Sequence, residues 1–134
     1  MDFNLNNFME KFANEIGGQF TEYDASRAVI VVPVDEHRYQ SVLGTLKTSS
    51  KFIKDGIEFT SKVCNDADVS DHKMLLDANS TLCYSKFVLV DGYLKVEASA
   101  FLEHANEALL RAMLLETAKV ADEWEYKITG KDVF

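Results

Sequence analysis

The sequence has little of the composition that marks linkers or disordered tails. One proline and six glycines among 134 residues argue against both. A chain of this length is suited to one hydrophobic core, so we expect a single domain over residues 1–134. Neither an internal repeat nor a low-complexity tract interrupts it.

Positive charge is also scarce. The 14 Lys and Arg residues stand against 22 Asp and Glu residues, and no basic stretch occurs along the chain. A net charge of −8 repels both the phosphate backbone and an anionic membrane surface. We therefore expect neither nucleic acid nor a membrane as a partner. The acidity serves solubility or recruits a basic partner.

Targeting and catalytic motifs are missing as well. Residues 1–12, MDFNLNNFMEKF, have neither a basic first region nor an unbroken apolar stretch, so we expect a cytoplasmic protein. The two cysteines, Cys64 and Cys83, are not in a CxxC motif, and we expect reduced thiols. No glycine-rich phosphate loop, GxSxG motif or zinc-ligand spacing occurs, so we expect no cofactor and no metal.

The stretch VPVDEHRYQSV, residues 32–42, most resembles an active site by composition. Neighbouring residues of a strand point to opposite faces, so Asp35, Glu36 and His37 cannot converge as a catalytic triad does. We interpret these three residues as an exposed turn between two strands, and we expect no catalytic residue. Arg38, which follows them, either anchors the sheet to an acidic group or marks a contact edge.

Hydrophobic periodicity predicts a helix at each end of the chain. The first carries apolar residues at helical spacing and ends at Gly17-Gly18. The second is predicted from Glu103 to Ile128. Its apolar arc is wider than one sheet face needs, which indicates either deeper burial or a contact with another chain. We expect its acidic end, residues 122–127 (DEWEYK), to be exposed.

The region between these helices predicts six strands and one short helix. A hairpin is predicted over residues 19–34, a weaker strand within 38–47, and a clear strand over 57–63. A short helix capped by Ser70 is predicted to run through Asn79. The resulting order, α-β-β-β-β-α-β-β-α, is typical of an α+β fold with an antiparallel sheet.

The last two strands form the best-determined hairpin. Asp91-Gly92 between two apolar runs indicates a two-residue turn, and this turn predicts which residues pair across the hairpin. One face pairs Leu89 with Leu94 and Phe87 with Val96, and it also carries Cys83, which we interpret as a small core residue. On the other face, Lys86 pairs with Glu97, Val88 with Lys95, and Val90 with Tyr93.

The same region carries a family resemblance. Residues 75–102, LLDANSTLCYSKFVLVDGYLKVEASAFL, resemble the bacterial YbjN-like family, which shows a short helix ending in Asn, an aromatic strand, a D-G turn and a strand of the form L-x-V-x-A. The LL…ETA…AD pattern of residues 114–122 is similar to its next helix. The stretch VPVDEHRYQSV is similar to its earlier strand–turn–strand. The resemblance implies the fold of type III secretion chaperones, often dimeric, with no enzymatic residues.

The resemblance and the apolar surfaces together suggest a function. The family is described as regulators of signalling, and its secretion relatives bind an unfolded client segment as dimers. We therefore expect a non-enzymatic protein-binding module, a homodimer that holds a protein or peptide partner. The alternative is a small-molecule sensor with a pocket between sheet and helices. The candidate partner-binding residues are Tyr84, Val88, Val90, Tyr93 and Arg38.

Overall fold

The computed structural model describes residues 3–48 and 55–130. Its elements are, in chain order, α1 (Leu5–Ile16), β1 (Gln19–Asp24), β2 (Arg27–Pro33), β3 (Tyr39–Thr48), β4 (Asp55–Asn65), α2 (His72–Asn79), β5 (Ser85–Val90), β6 (Tyr93–Phe101) and α3 (Glu107–Thr129). The strands form one antiparallel sheet in the order β1-β2-β3-β4-β6-β5. The predicted fold class and element order are confirmed.

The helices pack on one face of this sheet. α1 lies over β1 and β2, and α3 lies over β3, β4 and β6. Ala28, Ile30 and Val32 of β2 are buried under the helices, while Val29 and Val31 on the opposite face are half-buried. Although β2 is apolar at most positions, the helices cover only one of its two faces.

The packing of α1 on the sheet depends on a glycine, Gly44, in β3. A Cβ atom added at Gly44 would lie 2.6 Å from Met9 Sδ and 3.3 Å from Phe59 Cε1. Met9 is fully buried, so its sulfur has no open space into which to move. Glycine at this position therefore lets α1 approach the sheet closely.

The β5–β6 hairpin has the predicted register. Leu89 pairs with Leu94, and the pairing continues through Ser85 and Ala98. The turn residues Asp91 and Gly92 both have positive φ, 53° and 82°, as a type I′ turn requires.

Two helix starts were predicted one residue or more too early. Asp71, and not Ser70, caps α2, because its Oδ1 accepts a hydrogen bond from Met74 N at 3.3 Å. The long helix does not begin at Glu103. A 3₁₀ turn spans 102–104, and α3 starts after Asn106, whose Oδ1 accepts from Leu109 N at 2.8 Å.

The acidic end of α3, which was expected to be exposed, is exposed only in part, at Glu123, Tyr126 and Lys127. Asp122 is 3% exposed and Glu125 is 1% exposed, since the last turns of α3 still lie on the sheet. The wide apolar arc of α3 is largely explained by this deep burial: Leu110, Met113 and Leu114 are all in the main core.

Candidate functional site

Four exposed apolar side chains, Met74, Leu76, Leu89 and Val90, lie where α2 meets the edge strand β5. Together with the residues of the groove beside them they form what we call the α2–β5 surface, which comprises His72, Met74, Leu75, Leu76, Phe87, Val88, Leu89, Val90 and Leu94. Seven of these residues, all except Met74 and Val90, line an open groove of about 250 Å³. Its lining is almost entirely apolar, so it suits an apolar side chain and not a polar metabolite.

The helix α2 presents leucines in two directions. Leu75 is buried against Phe87 and Leu94 in a second core cluster. Leu76 follows it at about 100° around the helix axis, so the two side chains cannot share one face. Leu76 is 70% exposed, and Met74 is exposed beside it.

On β5, Leu89 lies on the helix-covered face of the sheet but is 52% exposed. Its register with Leu94 is as predicted, yet α2 has only eight residues and leaves this end of the strand uncovered. Val90, the next residue, is also exposed. Leu89 and Val90 point to opposite faces of the sheet, so the edge strand exposes an apolar side chain on each face next to the turn.

The outer edge of β5 is held by two side chains from the helices. The Glu116 carboxylate of α3 accepts hydrogen bonds from the backbone N–H groups of Cys83, Tyr84 and Ser85 at 3.1, 2.8 and 2.7 Å, and from Ser85 Oγ at 2.6 Å. Partial burial raises the pKa of Glu116, but these hydrogen bonds outweigh it and lower the pKa below its ordinary value. Asn79 Oδ1 of α2 accepts from Phe87 N at 2.7 Å.

The same segment corrects the expectation for Cys83. Its thiol was expected in the core, but Cys83 is exposed. Cys83 lies before the strand, since β5 begins only at Ser85, and Glu116 holds the backbone of the residues that lead into it. Cys64 is buried, and burial raises the pKa of its thiol to about 11.

The structure brings together three of the five predicted partner-binding residues. Val88 lines the groove, Val90 is exposed two residues later, and Tyr93 pairs with Val90 across the hairpin. Tyr93 is half-buried, with Lys62 Nζ 3.8 Å from its ring centroid. Tyr84 is exposed at the opposite end of the strand.

Arg38, the fifth predicted residue, lies before β3, away from the β5 edge. Its Nε is 3.0 Å from Asp122 Oδ2, and its guanidinium carbon lies 5.1 Å from the Tyr126 ring centroid. Of the two roles that the sequence left open, the structure shows the anchor: Arg38 ties the start of β3 to a buried acidic group of α3. The preceding turn is exposed, and the His37 side chain is 91% exposed.

Sequence reasoning missed Met74, Leu76 and Leu89. The adjacent pair Leu75-Leu76 carried a signal, since a short helix on a sheet buries only one of two consecutive residues. No sequence signal marked Leu89 as exposed, because the alternation of apolar residues along β5 correctly placed it on the face that points to the core. Only the length and position of α2 decide whether that face is covered.

The face of the sheet opposite the helices carries a carboxyl pair. Glu58 of β4 and Glu97 of β6 are hydrogen-bonded, and Lys47 Nζ is 2.6 Å from Glu58 Oε2. The hydrogen bond to Glu58, with burial, raises the pKa of Glu97 to about 7. Burial raises the pKa of Glu58, but its hydrogen bonds with Glu97 and Lys47 have the larger combined effect and lower this pKa below its ordinary value. The pair thus shares a proton near neutral pH.

Neither a metal site nor a membrane-spanning helix occurs within the described residues. Across residues 3–48 and 55–130, no group of three or more His, Cys, Asp or Glu side chains is arranged to hold a metal ion. Within the same ranges, no helix combines the length and the apolar character needed to cross a membrane.

Solved structures identify the class of fold. The arrangement of one six-stranded antiparallel sheet, an N-terminal helix and a long C-terminal helix is that of type III secretion chaperones, as the sequence resemblance implied. A chain in the crystal structure of the ExsC–ExsE complex is similar over 96% of this chain and 97% of its own length, with a TM-score of 0.64 and 16% identity.

A second similar chain comes from the heterodimeric ExoU–SpcU complex of the type III secretion system of Pseudomonas aeruginosa. The similarity covers 95% of this chain and 99% of that chain, with a TM-score of 0.54 and 10% identity. At these identities the similarity shows the fold alone. No protein-family model and no curated protein matches the chain, so membership of the YbjN-like family stays a prediction.

Proposed function

We propose that the chain is a single-domain, non-enzymatic protein-binding module that forms a homodimer through the α2–β5 surface. The observation that carries the proposal is the row of exposed apolar side chains at that surface, above all Leu76 and Leu89. Burying such a side chain contributes about 1.5–3 kcal/mol. In a symmetric dimer each contact occurs twice, so these residues supply a substantial part of the association energy.

The charges on α2 favour a second copy as the occupant. Lys73 and Asp77 are both exposed and lie one helical turn apart, on either side of Leu76 along the helix. When two copies of α2 pack antiparallel around a two-fold axis, Lys73 of each copy faces Asp77 of the other. The surface is therefore complementary to itself in charge as well as apolar.

The structural neighbours support a further protein partner. Both solved structures are complexes of two different proteins, ExsC with ExsE and ExoU with SpcU. By analogy of fold, we propose that the dimer holds a protein or peptide partner in the cytoplasm, as a client-binding chaperone or a regulator of signalling. Tyr84 and Val88 are exposed or half-buried positions where such a partner would contact β5.

A small-molecule sensor is the less favoured function. The groove between α2 and the sheet measures about 250 Å³ and is open to solvent. Small-molecule sites commonly enclose about 300–1,000 Å³ and bury most of the ligand. The groove accommodates one or two side chains of a protein partner better than it encloses a ligand.

The proposal is tested by the mass of the chain in solution. Light scattering coupled to size exclusion is expected to give twice the chain mass of 15.1 kDa. Leu76→Glu removes about 2 kcal/mol of apolar burial from each copy and adds a charge, so the dissociation constant should rise at least a hundredfold.

Tyr23→Glu is the matched control, because Tyr23 is 68% exposed on β1 at the opposite edge of the sheet. This variant should remain a dimer. A wild-type chain that stays at one chain mass at every concentration tested would rule out the homodimer. Crosslinking of the tagged chain in native lysate, with contacts mapped to 84–93, tests the separate protein partner.

A further inference from the structure

The β5–β6 turn determines which backbone groups of β5 face outward. In a two-residue hairpin the residues flanking the turn, Val90 and Tyr93, exchange hydrogen bonds with each other. The N–H groups of Val90, Val88 and Lys86 therefore point toward β6. Those of Leu89, Phe87 and Ser85 point away from the sheet.

Two of these three outward N–H groups already have acceptors. Ser85 N donates to Glu116 Oε1 at 2.7 Å, and Phe87 N donates to Asn79 Oδ1 at 2.7 Å. An incoming strand pairs with an edge by offering carbonyl groups to successive outward N–H groups. Glu116 and Asn79 occupy those positions with side-chain oxygens from α3 and α2.

Glu116 is well suited to hold its position. One carboxylate accepts from three consecutive backbone amides and one hydroxyl, and hydrogen bonds to a charged acceptor are stronger than neutral ones. A strand that displaced it would leave a partly buried carboxylate without these donors.

We infer that Glu116 and Asn79 close the β5 edge to backbone pairing, so that a second copy contacts the α2–β5 surface through side chains and not by adding a strand. The mode of contact rests on the proposed homodimer, while the closed edge rests on the hydrogen bonds alone. Leu89 is then an anchor for an apolar side chain, although it lies on an edge strand. Removing the two acceptors should turn β5 into an edge that pairs with another β-strand.

Hydrogen exchange measured by NMR tests the closed edge directly. In Glu116→Ala the amide of Ser85 should exchange about tenfold faster or more, and in Asn79→Ala the amide of Phe87 should do so. The amides of Lys86 and Val88, bonded to β6, should keep their wild-type rates.

Matched variants separate lost acceptors from other effects. Asn79→Asp keeps an acceptor oxygen at the same place, so Phe87 should stay protected. Glu123→Ala makes the same charge change on an exposed residue of α3, without effect on β5. If Glu116→Ala does not fold, Glu116→Leu takes its place, because it fills similar space and leaves Ser85 N without an acceptor oxygen. Wild-type exchange at Ser85 and Phe87 in the variants that lack these acceptors would overturn the inference.

A second experiment measures self-association of the Leu76→Glu variant, in which the side-chain contact between copies is weakened. Adding Glu116→Ala and Asn79→Ala should produce concentration-dependent dimers in light scattering, with the outward amides of β5 protected again. A chain that stays monomeric at millimolar concentration after both acceptors are removed would overturn the inference. If Leu76→Glu leaves a wild-type dimer intact, dimerisation through the α2–β5 surface is wrong, and the exchange rates still decide whether the edge is closed.

Discussion

Replacing Gly44 with alanine tests how closely α1 packs on the sheet. The added Cβ would meet Met9 Sδ at 2.6 Å and Met9 Cε at 3.2 Å, both well inside van der Waals contact. Overpacking of this kind costs about 1–3 kcal/mol. The lower unfolded-state entropy of alanine returns about 0.5–1 kcal/mol in a strand. We therefore expect a net loss of about 1–2 kcal/mol.

Urea unfolding followed by circular dichroism measures this loss. Gly56→Ala, also in a strand, is the control: its Cβ would meet only the Ala100 carbonyl oxygen, at 3.3 Å. This slight crowding offsets the entropy gain of alanine, so the stability should change by less than about 0.5 kcal/mol. Met9→Ala should cost less in the Gly44→Ala background than in the wild type, by about 1 kcal/mol, because the crowded sulfur is gone. Additive effects of the two substitutions would refute close contact between α1 and β3.

Two further predictions follow from titratable side chains. Because the folded state raises the pKa of Glu97 to about 7 from an ordinary 4.5, its stabilising effect is complete below pH 4.5 and is lost as the pH rises through 7. Glu97→Gln should therefore flatten the pH dependence of the unfolding free energy between these values, by on the order of 1 kcal/mol after solvent screening; an unchanged profile would contradict the shared proton. A maleimide at pH 7.5 should modify Cys83 in the native chain and spare Cys64, as mass spectrometry of the peptides would show, and equal labelling would contradict the difference in burial.

The sequence predicted the elements whose structure is decided locally. The Asp91-Gly92 turn needs positive φ at two adjacent residues, and this requirement sets the register of the whole β5–β6 hairpin. Apolar spacing and Gly17 likewise set the bounds of α1, whose last turn is closed by that glycine at a φ of 72°.

The features that the sequence did not reveal depend on packing between distant elements. Asp122 and Glu125 are charged, yet they are buried because α3 stays on the sheet to its end and Arg38 reaches Asp122 from 84 residues away in the chain. Cys83 is exposed because Glu116 holds its backbone from α3. Such burial cannot be derived from the residue types near each position.

The most direct test of the proposed function is the mass of the wild-type chain and of Leu76→Glu over the same range of concentrations. The account predicts a homodimer for the wild type and for the Tyr23→Glu control, and a shift toward one chain mass for Leu76→Glu. A wild-type monomer, or a dimer that Leu76→Glu leaves intact, would contradict dimerisation through the α2–β5 surface.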